Sequence, residues 1–176
     1  MTFSLYEATV PTYTQILGAI LRLLDKAEAF VANGQASEQE LVDARLAPDM
    51  LPFAYQVKST AVHSIGAIEG IRRGEFSPDL SEPPTTFAGL KERVATAIDA
   101  IAALTPDEIN GFIGRDMCFL FKEKRLEFTG AEAFLISFSM PNFMFHATTA
   151  YDLLRMKRLN IGKSDFLVKL PLKKPS

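Results

Sequence analysis

Apolar residues recur at intervals of three and four along most of this chain, and each long run with that period predicts a helix. Leu5, Tyr13, Ile16, Leu17, Ile20, Leu24 and Ala27 predict a first helix from near Ser4 to Val31, with Pro11 in its opening turns. Asn33-Gly34 ends it, since glycine takes a left-handed cap at no steric cost. Ser37 to Leu46 reads as a short helix, because Ser37 and Glu40 form a capping-box pattern. Pro48 and Pro52 leave only a tight connector between them, and Pro52 suits the first position of a second helix. That helix runs to about Arg73 on the stripe Phe53, Val57, Ala61, Ile65, Ile68 and Ile71, and closes on Arg72-Arg73-Gly74.

The remainder follows the same logic. The proline-rich stretch 75–84 predicts an irregular crossover. Thr85 or Thr86 caps a third helix from Phe87 to Leu104, and Thr105-Pro106-Asp107-Glu108 marks a further helical turn. Residues 116–128 change texture: Met117, Phe119 and Phe121 alternate with Cys118, Leu120 and Lys122, which predicts a small hairpin. A lone hairpin is only marginally stable, so it should lie against the helices. Thr129 or Gly130 starts a last long helix reaching about Leu159, with Pro141 near its middle, where the axis should bend. Four major helices without an internal repeat predict an all-α bundle, a single domain over residues 1–176, with the hairpin as an excursion before the last helix.

Composition narrows the function classes. Hydrophobic residues make up 48% of the chain, enough for a sizeable core. A formal charge of -2 gives nucleic acid and anionic lipid nothing to hold, and the local basic patch of Arg155, Lys157 and Arg158 lacks aromatic interleaving. The basic tail, residues 170–176, reads as a solvated terminus. Cys118 is alone, so no internal disulfide forms; with no signal-like start and no apolar run of about 18 residues, a soluble cytoplasmic protein is expected. Fourteen phenylalanines are many for one bundle of this size, which predicts a second apolar face buried in a homodimer.

The candidate chemistry lies along two polar lines. Gln56, Thr60 and His63 run beside the stripe of the second helix, and Asn142, His146 and Thr149 project from one side of the last. His63 and His146 are the chain's two histidines. The helix around His146 is so apolar that the imidazole should be enclosed, either hydrogen-bonded within the core or acting as a metal ligand or acid-base group. A metal would need further donors. Asp49 or Asp152 could complete a two-histidine, one-carboxylate set, or Cys118 could serve if the hairpin folds over. No nucleophilic triad assembles: Ser64 is adjacent to His63 and points elsewhere, and Ser139 lies about 10 Å from His146 along the helix. Asn160-Ile161-Gly162-Lys163-Ser164 lacks the leading glycine of a phosphate loop, and Gly162 reads as a C-cap.

Three blocks, RLAPDMLPFAYQV (45–57), PNFMFHATTAYDLLR (141–155) and NIGKSDFL (160–167), resemble a bacterial and fungal domain-of-unknown-function family of the DinB/YfiT-like superfamily. The resemblance implies a four-helix bundle in up-down-down-up order, and a metalloenzyme site binding nickel or zinc through three histidines. Some relatives are thiol-dependent transferases or hydrolases. Carried over by position, the second-helix histidine matches His63, and the paired histidines of the last helix match Asn142 and His146. Asn142 thus stands where a strong ligand is expected, leaving Gln56, Thr60, Asn142 and Thr149 as neutral lining around His63 and His146. The expected function is a degenerate metalloenzyme-like scaffold with a small-molecule pocket. The alternatives are a divalent-metal-dependent hydrolase or transferase using both histidines, and a non-enzymatic ligand-binding or dimerisation module.

Overall fold

The computed structural model describes residues 4–168, 170, 172 and 173; most of the basic tail lies outside them. Ser4 caps helix α1 (Leu5–Ala32) with a full capping box to Glu7, and α1 runs unbroken through Pro11. Ser37 does the same for α2 (Glu38–Val42). Pro52 takes the cap position of α3 (Phe53–Val62), one residue ahead of the first helical position. Thr86 caps α5 (Phe87–Ala102), and Thr105 caps the single turn α6 (Pro106–Asn110).

The expected continuous second helix is broken at its polar line. It divides into α3 and α4 (Ile65–Arg73) around His63 and Ser64, with Ser64 at φ -109°, ψ -92°. Hydroxyls satisfy the carbonyls this break exposes. Ser64 Oγ donates to the Thr60 carbonyl at 2.7 Å, and Ser139 Oγ donates across the core to the His63 carbonyl at 2.7 Å. The apolar stripe continues in phase on both sides of the break, so its period gave no sign of it.

The all-α expectation needs a second correction. Residues Glu75–Phe76 form a short strand, β1, parallel to β2 (Met117–Phe121), which pairs antiparallel with β3 (Lys124–Phe128). The hairpin turns on Lys122, at φ 56°. The strand β1 exists because Gly74, at φ +80°, reverses the chain, and because Gly70 lets it approach α4. A Cβ at Gly70 would lie 3.0 Å from Phe76 Cβ and 3.1 Å from the Glu75 carbonyl oxygen.

The last helix carries a π-helical turn at the expected bend. It is assembled from α7 (Ala131–Phe134), the π-helical turn Leu135–Ser139 and α8 (Met140–Met156). Met140 N–H donates to the Leu135 carbonyl, five residues back. Pro141 has no N–H for the carbonyl four residues before it, and the wider turn accommodates the loss. Gly162 is not a C-cap: it sits at φ -134° and opens a further short helix, α9 (Lys163–Leu167), with its N–H held by Asp165 at 2.8 Å.

The core lies where α3 packs on α5 and α8, and where α1 packs on α5, α8 and α9. Lys58 of α3 ties the crossover to this core. It is 1% exposed, and its Nζ meets the Asp79 carboxylate at 3.0 Å, the Asp79 carbonyl at 2.8 Å and the Ser81 hydroxyl at 3.1 Å. Burial alone would raise the pKa of Asp79; hydrogen bonds from Ser81 and Lys58 outweigh it and bring it down to about 2. No helix of the described residues is long and apolar enough to cross a membrane.

Candidate functional site

His63 sits where α3 ends, and His146 is centred on α8; the packing of α3 on α8 brings their rings together. The imidazoles are stacked, with centroids 5.5 Å apart and planes inclined by 19°. Four aromatic rings surround them. Phe76 and Phe138 lie 5.4 and 6.0 Å from His63, and Tyr55 and Phe145 lie 6.1 and 5.3 Å from His146. His63 is 8% exposed, whereas Phe145 is 55% exposed and marks the solvent side.

Gln56 fixes the chemistry of His146. Its Nε2 donates to the Leu51 carbonyl at 2.8 Å, which identifies the other amide atom, 2.7 Å from His146 Nδ1, as an acceptor. His146 Nδ1 therefore carries the proton, and Nε2 keeps its lone pair. His63 differs: its Nδ1 is buried without a hydrogen-bond partner among the described residues. Burial, with a smaller repulsion from His146, lowers the pKa of His63 to about 3, and burial lowers that of His146 to about 4. Both rings are neutral at pH 7.

The other expected lining residues are placed less directly. Thr60 is fully buried and spends its hydroxyl on the Val57 carbonyl at 2.7 Å. Asn142 is half-buried, and its amide nitrogen donates to the Phe138 carbonyl at 2.7 Å, one turn back on its own helix. Thr149 is buried further along α8. Surface openings elsewhere include one of about 510 Å³ between α1 and Val168, one of about 370 Å³ beside Tyr55 and Ser81, and one of about 340 Å³ beside Phe76 and Arg93.

The expected third ligands do not join the histidines. Asp49 and Asp152 are exposed, and Cys118 is buried in β2. Among the described residues no group of three His, Cys, Asp or Glu side chains could hold a metal ion. Two imidazoles with an amide tied to its own helix do not fit the donor set of a catalytic zinc or a comparable nickel centre.

Sequence reasoning missed Tyr55, Phe76, Phe138 and Ser139 as neighbours of the pair. Ser139 had a readable signal, since it precedes His146 by seven residues on one helix face, although its partner proved to be the backbone of His63. Tyr13 lies in the same buried region: burial drives its pKa up, against a smaller opposite effect of Ser139. Ser139 is committed to the His63 carbonyl, and the phenol closes no hydrogen bond of good geometry among the described residues.

A family model described as a domain of unknown function, DUF1993, matches residues 5–167. The chain is also similar to a solved structure of a DinB family member protein from Shewanella denitrificans, with a TM-score of 0.79 and 27% identity over 97% of this chain and 96% of that one. No curated protein matches it. The fold is mostly helical with a small sheet, and its likeness to a DinB family protein is consistent with the DinB/YfiT-like superfamily. With the family match covering nearly its whole length, this chain belongs to the DUF1993 family.

Proposed function

We propose that His63 and His146 form the binding site for a small uncharged ligand, on a DinB/YfiT-like scaffold whose metal ligation has degenerated. In this reading the long helical stretches α1, α3–α4, α5 and α7–α8 are the up-down-down-up bundle of a single domain. The observation that carries the reading is the Leu51–Gln56–His146 chain, which holds the ring in one tautomer with Nε2 as an acceptor. Such outer hydrogen bonds orient metal-ligating histidines. Here the same device supports a ring that, among the described residues, belongs to no group of three His, Cys, Asp or Glu side chains able to hold a metal ion.

A neutral ring enclosed by aromatic side chains favours a ligand that donates one N–H or O–H and stacks an apolar body against Tyr55 or Phe145. Acid-base catalysis is the weaker reading. A general base works best with a pKa near the operating pH, and burial holds both histidines well below it.

The test follows the two histidine ring protons by NMR against neutral aromatic donors such as phenol, indole and benzamide. At least one should shift both rings saturably, with the effect lost in Gln56→Leu and His146→Phe. Folded protein whose ring signals stay fixed with every compound at millimolar concentration contradicts the proposal.

A further inference from the structure

A second opening, lined by Phe76 but by neither histidine, is bounded by α3, α4, α5 and the crossover. Its volume is about 340 Å³, within the range of small-ligand sites. Ala61, Val62, Ile65 and Phe76 supply an apolar floor. Gly66 also lines it, and a Cβ there would meet only ordinary contacts, the nearest at 3.6 Å. The rim is charged, and its charges are unequally committed. Glu69 is held by Arg72 at 2.5 Å. Asp79 is held on one oxygen by Lys58 and on the other by Arg93, each at 3.0 Å.

The two arginines of the rim are less committed than the acids. Arg93 uses one terminal nitrogen on Asp79 and keeps the rest of its fork. Arg73, exposed at the end of α4, has no ion pair among the described residues. An arginine fork matches a carboxylate or phosphoryl group in a way a point charge does not. The opening therefore joins an apolar floor to positive donors at its edge, Arg73 without an ion pair among the described residues and Arg93 held by Asp79 through one terminal nitrogen.

We propose that this cleft is an independent binding site for a small amphiphilic anion, with the charged head on Arg73 and Arg93 and the apolar body over Val62, Ile65, Gly66 and Phe76. Phe76 lines the cleft and its ring lies 5.4 Å from that of His63, so an occupant of the cleft touches a neighbour of the histidine pair.

Titrating the full chain with octanoate, octyl phosphate and octan-1-ol, by calorimetry and amide NMR, tests the assignment. One of the two anions should saturate a single site and shift the amides of Val62, Gly66 and Phe76, with octan-1-ol at least about tenfold weaker, the effect of one charge-assisted contact. Preference for octanoate assigns a carboxylate head and preference for octyl phosphate a phosphoryl head. Arg73→Gln, an exposed change that leaves the core untouched, should weaken the anion about tenfold, and Gly66→Leu should abolish binding while the protein stays folded. Equal affinity for octan-1-ol, an unchanged Arg73→Gln, or shifts confined to α1 or to the histidine pair would overturn the proposal.

Discussion

A histidine enclosed without a counter-charge gives up its proton, and this chain has two such rings in contact. In the unfolded chain both would titrate near 6.5, whereas in the folded protein they titrate at about 3 and about 4. Between those values the unfolded chain binds protons that the native state refuses. Stability contributed by the neutral pair is therefore complete above pH 6.5 and is lost as pH falls towards 4 and then 3, each tenfold difference in proton affinity being worth about 1.4 kcal/mol. Urea unfolding followed over this window should show the loss, and His63→Phe should flatten it; equal steepness in the variant contradicts the assignment. Gln56 acts at the same scale. Replacing it by Leu leaves the His146 Nδ1–H and the Leu51 carbonyl unpartnered, a cost of about 1–3 kcal/mol read in the same experiment.

Two contacts between elements place the pair. The Ser139 hydroxyl closes the carbonyl left open where α3 ends, so Ser139→Ala should cost about 1–3 kcal/mol although it touches neither imidazole ring. Gly70 admits Phe76 against α4, and Gly70→Ala should push β1 away and alter the ring-current shift of the His63 signals. Unchanged His63 signals would separate β1 from the site. These contacts also mark the limit of what the sequence made legible. The helices were readable because period and caps act locally: Ser4, Ser37, Thr86 and Thr105 all serve as caps. The polar lines through His63 and His146 were readable by the same spacing. The break at Ser64 was not, because it is stabilised by the hydroxyl of Ser139, far away in sequence, nor was β1, whose two residues carry no alternation and form a strand only through Gly70 and β2. Pro141 predicted a distortion, and the structure resolves it as a π-helical turn ending two residues earlier.

For the whole molecule, the phenylalanine content finds an internal explanation. Among the described residues Phe145 is the exposed phenylalanine, while Phe76, Phe119, Phe128, Phe134 and Phe138 form one ring cluster linking the sheet to the last helix and His63. A homodimer would therefore bury exposed apolar side chains such as Ile113, Ile136, Phe145 and Met156 instead of the aromatic cluster, and sedimentation of dilute protein tests it: twice the 19.5 kDa chain mass supports the dimer and the chain mass alone contradicts it. The fold is similar to that of a DinB family protein, and among the described residues the two histidines belong to no group of three His, Cys, Asp or Glu side chains that could hold a metal ion. The most direct measurement of that account is the imidazole 15N spectrum of the full chain from pH 8 to pH 4, with and without one equivalent of zinc. It should show His146 protonated at Nδ1, both rings neutral throughout the range above about pH 5, and no change on adding zinc. Protonation of either ring near pH 6.5, or a saturable zinc shift of both at one equivalent, would contradict it.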